Sequence, residues 1–166
     1  MFFGNWLLAF SWDCTFAVEH VYGHHKHVAT SIDPATGKRG ENIYKFIFRA
    51  MLTEHRDAWT IEIKRLSLAK KSLISSNNRM LIGYARSIFL TFLAFLVGGI
   101  WGIFSFLLIA FIAKSLLELI NFAEHYGLIR VVGQPVQPRH SWNSNSILSS
   151  LYLFNVTRHS SHHDKS

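Results

Sequence analysis

Charge is scarce in this chain. Asp, Glu, Lys and Arg together make up 16% of its 166 residues, against roughly 25% in a soluble domain. Cysteine is scarcer still. Cys14 stands alone, which excludes an intramolecular disulfide and a multi-cysteine zinc cage. Low hydrophobicity, the mark of a disordered tail, is also absent, since 49% of the residues are hydrophobic. Negative charge is outnumbered, with ten Asp and Glu against seventeen Lys and Arg. A net charge of +7 suits nucleic acid or anionic lipid equally well. The basic residues flank apolar runs instead of forming one patch, so a nucleic-acid surface is not expected.

What is present is one long apolar stretch and an excess of histidine. Residues 87–113, SIFLTFLAFLVGGIWGIFSFLLIAFIA, contain no charged side chain. More than about 18 apolar residues in a row argue for a transmembrane segment. The helical pattern continues from Arg79 to Tyr126, however. At about 1.5 Å per residue that is more than twice a hydrocarbon core of about 30 Å. Gly98, Gly99 and Gly102 lie in the middle, where a turn is natural. The pattern predicts a transmembrane hairpin over 80–97 and 103–122. The turn carries no Lys or Arg, while Lys70, Lys71, Arg79 and Arg86 flank one side and Arg130 and Arg139 the other. Both ends of the hairpin are therefore expected in the cytoplasm. Residues 1–18 read as the end of another transmembrane helix, broken by Asp13. Residues 44–71 mix apolar and charged positions as a helix on the membrane surface does. Residues 31–41, SIDPATGKRGE, read as a loop.

Seven of the ten histidines fall in three clusters. The first is EHVYGHH, with His20, His24 and His25. The second is EHYG, with His125, at the end of the second span. The third is RHSSHH, with His159, His162 and His163 at i, i+3 and i+4, one face of a helix. Imidazole suits Fe, Zn, Cu and Ni. Neutral imidazoles from three segments can close around more than one ion, and they bring no fixed negative charge to it. Each cluster follows an apolar segment, so all three are expected at one cytoplasmic mouth of the bundle. Spacing does not choose iron over zinc. His27 and His55 read as surface or interfacial residues. Glu118 and Asn121 sit in the otherwise apolar second span, where an ionisable group is a functional candidate by default. A local pair with Lys114 explains Glu118 as well. Glu19, Glu118, Glu124 and His140 are the candidates for holding a ligand imidazole by its second nitrogen.

Larger motifs carry a resemblance. EHVYGHHKHVATSIDPATGKRGE resembles the second histidine box of the membrane-bound alkane 1-monooxygenases and the loop after it. LELINFAEHYGL is similar to that family's EHYGL helix. PRHSWNSN followed by RHSSHH resembles its HSWNS stretch and last histidine box. HxxxHH and HxxHH also fit desaturases and other hydroxylases of the superfamily, and EHYGL with HSWNS narrows the choice. The resemblance implies an all-α integral membrane helical bundle in the bacterial inner membrane, multi-pass, with a histidine-rich di-iron site on the cytoplasmic side. It implies two Fe held by His20, His24, His25, His125, His159, His162 and His163. It further implies terminal hydroxylation of a medium-chain n-alkane with O2, using electrons from rubredoxin and its reductase. A xylene- or cymene-type methyl hydroxylase and an inactive metal-binding fragment are the alternatives.

The departures bear on activity. The family's earlier box, HELxHK, is absent. Ser161 stands where the family usually has Asp, Asp164 replaces a small residue, and Phe122 replaces a Tyr. The expectation is a fragment of a longer enzyme that alone holds metal poorly and does not turn over.

Overall fold

The computed structural model describes residues 2–153, 155 and 157–164, and among these the side chains of Tyr152, Ser161, His163 and Asp164 lie outside the description. The described residues are helical and contain no strand. Short helices α1 (Phe2–Phe10) and α2 (Phe16–Glu19) lead into a π-helical turn (His20–His24) and α3 (His25–His27). Two long helices follow, α4 (Ile43–Leu68) and α5 (Arg79–His125). A 3-10 turn (Pro138–His140), α6 (Ile147–Tyr152) and α7 (His159–Asp164) complete the order. The chain forms two compact units, residues 1–22 with 54–117 and residues 23–53 with 118–166. Both α4 and α5 contribute to each.

Helix α5 is long and apolar enough to cross a membrane, with a mean hydropathy of 2.4 over its most apolar window, of which only 6% is buried. It is not continuous. Gly99 has φ 57° and ψ −144°, which breaks it into two helical arms. That region of the backbone map is essentially reserved for glycine. Just past the break, a Cβ on Gly102 would sit 2.1 Å from the carbonyl oxygen of Ala94. In a straight helix these two positions are more than two turns apart. The second arm therefore folds back along the first, and it runs on to His125.

In the first unit α1 lies against the start of the first arm. Ser87 Oγ donates to the Ala9 carbonyl at 3.1 Å. Trp6 meets Phe89 edge-on with centroids 6.2 Å apart. Gly83 permits the closest approach, since a Cβ there would lie 2.2 Å from that of Cys14. Cys14, Val18, Ala58 and Met80 form a buried core. Lys114, in the second arm, reaches Asp13 at 3.1 Å and Glu54 at 2.8 Å. Asn78 caps α5 by accepting from the N–H groups of Met80 and Leu81, which would otherwise be orphan donors. Glu62 takes hydrogen bonds from Arg65, from the Arg79 side chain and from the Arg79 N–H. Burial alone would push its carboxyl up, yet these donors pull it down to about 2.

In the second unit the EHYGL turn ends α5. Gly127 has φ 71°, the left-handed C-cap that glycine adopts without penalty. Its N–H donates to the Gly37 carbonyl at 2.8 Å. A Cβ on Gly37 would press to 2.8 Å from Phe122, and Phe122 packs on Phe46 and Tyr126. Arg130 is buried and donates to the carbonyls of Lys26, Val28 and Gln134. Arg49 bridges Glu41 and the carbonyls of Pro34 and Thr36. The forked guanidinium of Arg49 thus pins the loop that the sequence marks only by its Pro, Gly and charges, and Arg130 holds the segment before it.

Candidate metal centre

The second unit gathers five of the seven candidate ligands. His24, His125 and His159 are buried, and their ligand nitrogens lie within 4.8 Å of one another. Ring centroids are 4.8 Å apart for His24 and His125, and again 4.8 Å for His125 and His159. His25 and His162 complete the circle. Their Nε2 atoms are 3.0 Å apart, and His162 sits 5.3 Å from His159 by centroid. Two nitrogens each about 2.1 Å from one ion, at a right angle, would be separated by about that much. The donor set therefore fits a metal.

Local structure explains why these rings meet. His24 closes the π-helical turn, an uncommon irregularity found mostly at functional sites. His125 is the last residue of α5. His159 opens α7, which is tied down by the HSWNS stretch. Asn143 Oδ1 accepts from the Ser160 N–H at 2.9 Å, and Asn143 Nδ2 donates to Ser160 Oγ. Trp142 anchors the same stretch to the end of α5, donating from its backbone to Glu124 and from its indole to the Tyr126 carbonyl.

Two of the buried imidazoles are hydrogen-bonded at Nδ1, and the third faces a carboxylate there. Asp33 holds His24 Nδ1 at 3.0 and 3.1 Å through its two oxygens. His125 Nδ1 lies 3.4 Å from the His140 carbonyl. Glu124 Oε2 lies 3.2 Å from His159 Nδ1. With Nδ1 held in His24 and His125, Nε2 is the nitrogen through which those two can bind metal. Burial would push the Asp33 carboxyl up. Against that, His24, Thr36 and the Ala35 N–H hold it below the usual carboxylate range. Burial pushes Glu124 up to about 8. Burial, with help from His24 and His162, lowers His25 to about 4. Burial and then His24 lower His162 as well. Neutral imidazole is the metal-binding form.

His20 belongs to the first unit, where its ring stacks on Phe16 at 4.3 Å. The backbone of His163 lies in α7, and its side chain is outside the described residues. Glu19 is buried in the first unit at the end of α2. Glu118 is buried and accepts from Asn121 Nδ2 at 3.2 Å. The His140 ring accepts from the Gln137 N–H at 3.0 Å, so it is its carbonyl that meets His125.

Asp33 is the residue that sequence reasoning missed. It makes an Asx turn, accepting from Ala35 and Thr36, and an Asp-Pro pair in a polar loop reads as a turn and nothing more. Asp33→Asn is expected to lower metal affinity about 10- to 100-fold, the usual cost of losing an orienting partner. Metal titration of the membrane-extracted protein checks this, and unchanged affinity would remove Asp33 from the site.

The family model of the fatty acid desaturases matches residues 1–166. The chain belongs to the fatty acid desaturase family. Among curated relatives, it is 40% identical over 153 residues to alkane 1-monooxygenase 2 of Alcanivorax borkumensis, covering 89% of this chain and 40% of that one. It is 42% identical over 154 residues to the alkane 1-monooxygenase of Pseudomonas putida, covering 89% and 38%. The hydroxylase component of a xylene/toluene monooxygenase from Pseudomonas putida is 31% identical over 148 residues, covering 88% and 40%. The chain thus spans about two fifths of the length of these relatives. The resemblance read from EHYGL and HSWNS agrees with these matches.

Proposed function

We propose that this chain is the histidine-bearing part of a membrane-embedded alkane 1-monooxygenase of the bacterial inner membrane. The observation that carries the reading is the circle of five imidazoles, three of them buried and two of these hydrogen-bonded at Nδ1. The family match and the alkane 1-monooxygenase relatives support it. His24, His25, His125, His159 and His162, joined by His20 and His163, would hold two Fe. When bound, the irons supply activation of O2 for insertion of one oxygen atom into a terminal C–H bond.

The remaining work belongs to the chain's own residues. Neutral imidazoles hold the metal without adding negative charge, so it stays electrophilic. Asp33 and Glu124 fix ring orientation, which is the outer half of a metal site. The two arms of α5, whose exposed faces include Val97, Trp101 and Ile109, sit in the bilayer as a hairpin. They return His125 to the cytoplasmic side, where an apolar substrate arrives from lipid. The balance is one n-alkane, one O2, two electrons and two protons giving one primary alcohol and one water. Rubredoxin, reduced by its reductase, supplies the electrons.

The test is turnover of octane by membranes carrying the full reading frame, with rubredoxin, its reductase and NADH, alongside iron analysis of the extracted protein. The expected result is 1-octanol and two Fe per chain. Oxidation of p-xylene without octane would select the methyl-hydroxylase reading suggested by the xylene/toluene relative. Bound metal with no product from either substrate would leave a metal-binding protein that is not a hydroxylase.

A further inference from the structure

We propose that a cavity of the first unit, beside the start of α5, is a headgroup site for an anionic phospholipid. The cavity measures about 140 Å³, and its lining includes Asn5, Leu8, Val18, Arg79, Ile82 and Arg86. A space of about 150 Å³ accepts one benzene-sized guest. The cavity therefore has room for a phosphate group with an adjoining carbon or two, and the acyl chains must lie outside it.

Charge selects an anion. Arg79 and Arg86 are seven residues apart on one helix, two turns on the same face. Arg79 is shared with Glu62, which Arg65 also holds. Arg86 lies over the Trp6 ring at 5.6 Å. Among the described residues no carboxylate lies within ion-pair distance of Arg86. The described lining carries two guanidiniums and no carboxylate, so this wall has a surplus of positive charge.

Position selects a lipid over a soluble anion. Arg86 is the last charged residue before the uncharged run 87–113, so the cavity lies where charged surface gives way to apolar surface. Trp6 and Trp12 flank the same level, with Trp12 donating to Thr91 at 3.0 Å, as aromatic anchors do at headgroup depth. Leu7, Phe10, Ile88 and Phe89 are exposed and offer a track for acyl chains. Basic pockets at the cytoplasmic ends of membrane helices bind acidic headgroups. The proposal rests on the reading of α5 as membrane-embedded and is independent of the metal centre.

The test compares the parent protein, Arg86→Gln and Arg86→Lys, each within the full reading frame. The chains are reconstituted in phosphatidylcholine nanodiscs with or without phosphatidylglycerol, and native mass spectrometry counts retained lipid. The parent is expected to retain phosphatidylglycerol over phosphatidylcholine, and Arg86→Gln to lose about five- to tenfold of that preference. Arg86→Lys keeps the charge without the fork, so it should fall between the two. It carries the test alone if Arg86→Gln does not accumulate. Equal retention by parent and variants would overturn the site. An inorganic phosphate arm in detergent separates the sources: competition by millimolar phosphate with no preference among lipids would overturn the lipid assignment. Recovery of the chain in the soluble fraction without detergent would instead defeat the membrane reading.

Discussion

His125→Ala, made within the full reading frame, is expected to abolish both iron binding and alkane hydroxylation while the protein still enters the membrane fraction. The ring is fully buried and stands between two others, 4.8 Å by centroid from His24 and 4.8 Å from His159. It is also the last residue of α5, so the long apolar helix carries it into the cluster. Loss of an orienting partner costs about 10- to 100-fold in metal affinity or activity, and loss of a ligand at the centre of the circle should exceed that. The variant leaves a cavity, so His125→Gln is the companion that keeps side-chain bulk and a polar end. Iron content, octane turnover and membrane partition are read together. Full iron and full activity in either variant would sink the assignment of His125 as a ligand.

Lys114→Met should be the most destabilising single change in the first unit. The Lys114 ammonium lies 2.8 Å from Glu54 and 3.1 Å from Asp13, and both carboxylates are buried. Removing one member of a buried ionic group costs about 3–5 kcal/mol, because the charge left behind loses its counter-ion away from water. Here two like charges remain instead of one. The expected result is a large drop in the unfolding midpoint of the detergent-extracted protein. Adding Asp13→Asn and Glu54→Gln should restore much of it, since the neutral amides no longer need the cation. If Lys114→Met melts with the parent, the three groups do not form a buried ionic network.

Much of the histidine cluster could be read from spacing. Helical offsets within EHVYGHH and RHSSHH picked out His24, His25, His159 and His162, and the run into EHYG picked out His125. The glycines at 98–102 marked the break in α5, because a turn between apolar arms needs a residue tolerant of left-handed backbone. Partnerships across long sequence separations were not legible. Lys114 has Glu118 four residues on, the local pair that helix periodicity suggests, and nothing in that periodicity points to its contacts with Asp13 and Glu54. Asp33 is nine residues from His24 and meets it across a loop that Arg49 ties down at Pro34 and Thr36. His140 has the right chemistry for a ligand, but its ring serves its own turn and its carbonyl serves His125. A residue's type does not reveal which of its atoms will be used.

The three glycines near the fold-back of α5 tell different stories to a geneticist. A Cβ on Gly98 meets nothing within 4 Å, and its codon should drift in a saturation library. At Gly99 there is equal room but a φ of 57°, so the selection is against handedness, and every L residue is penalised much alike whatever its size. At Gly102 the backbone is ordinary and the obstacle is the Ala94 carbonyl at 2.1 Å, so even alanine, the smallest replacement, fails there. Neighbouring codons in one short turn would thus record neutrality, chirality and crowding as three separate signatures.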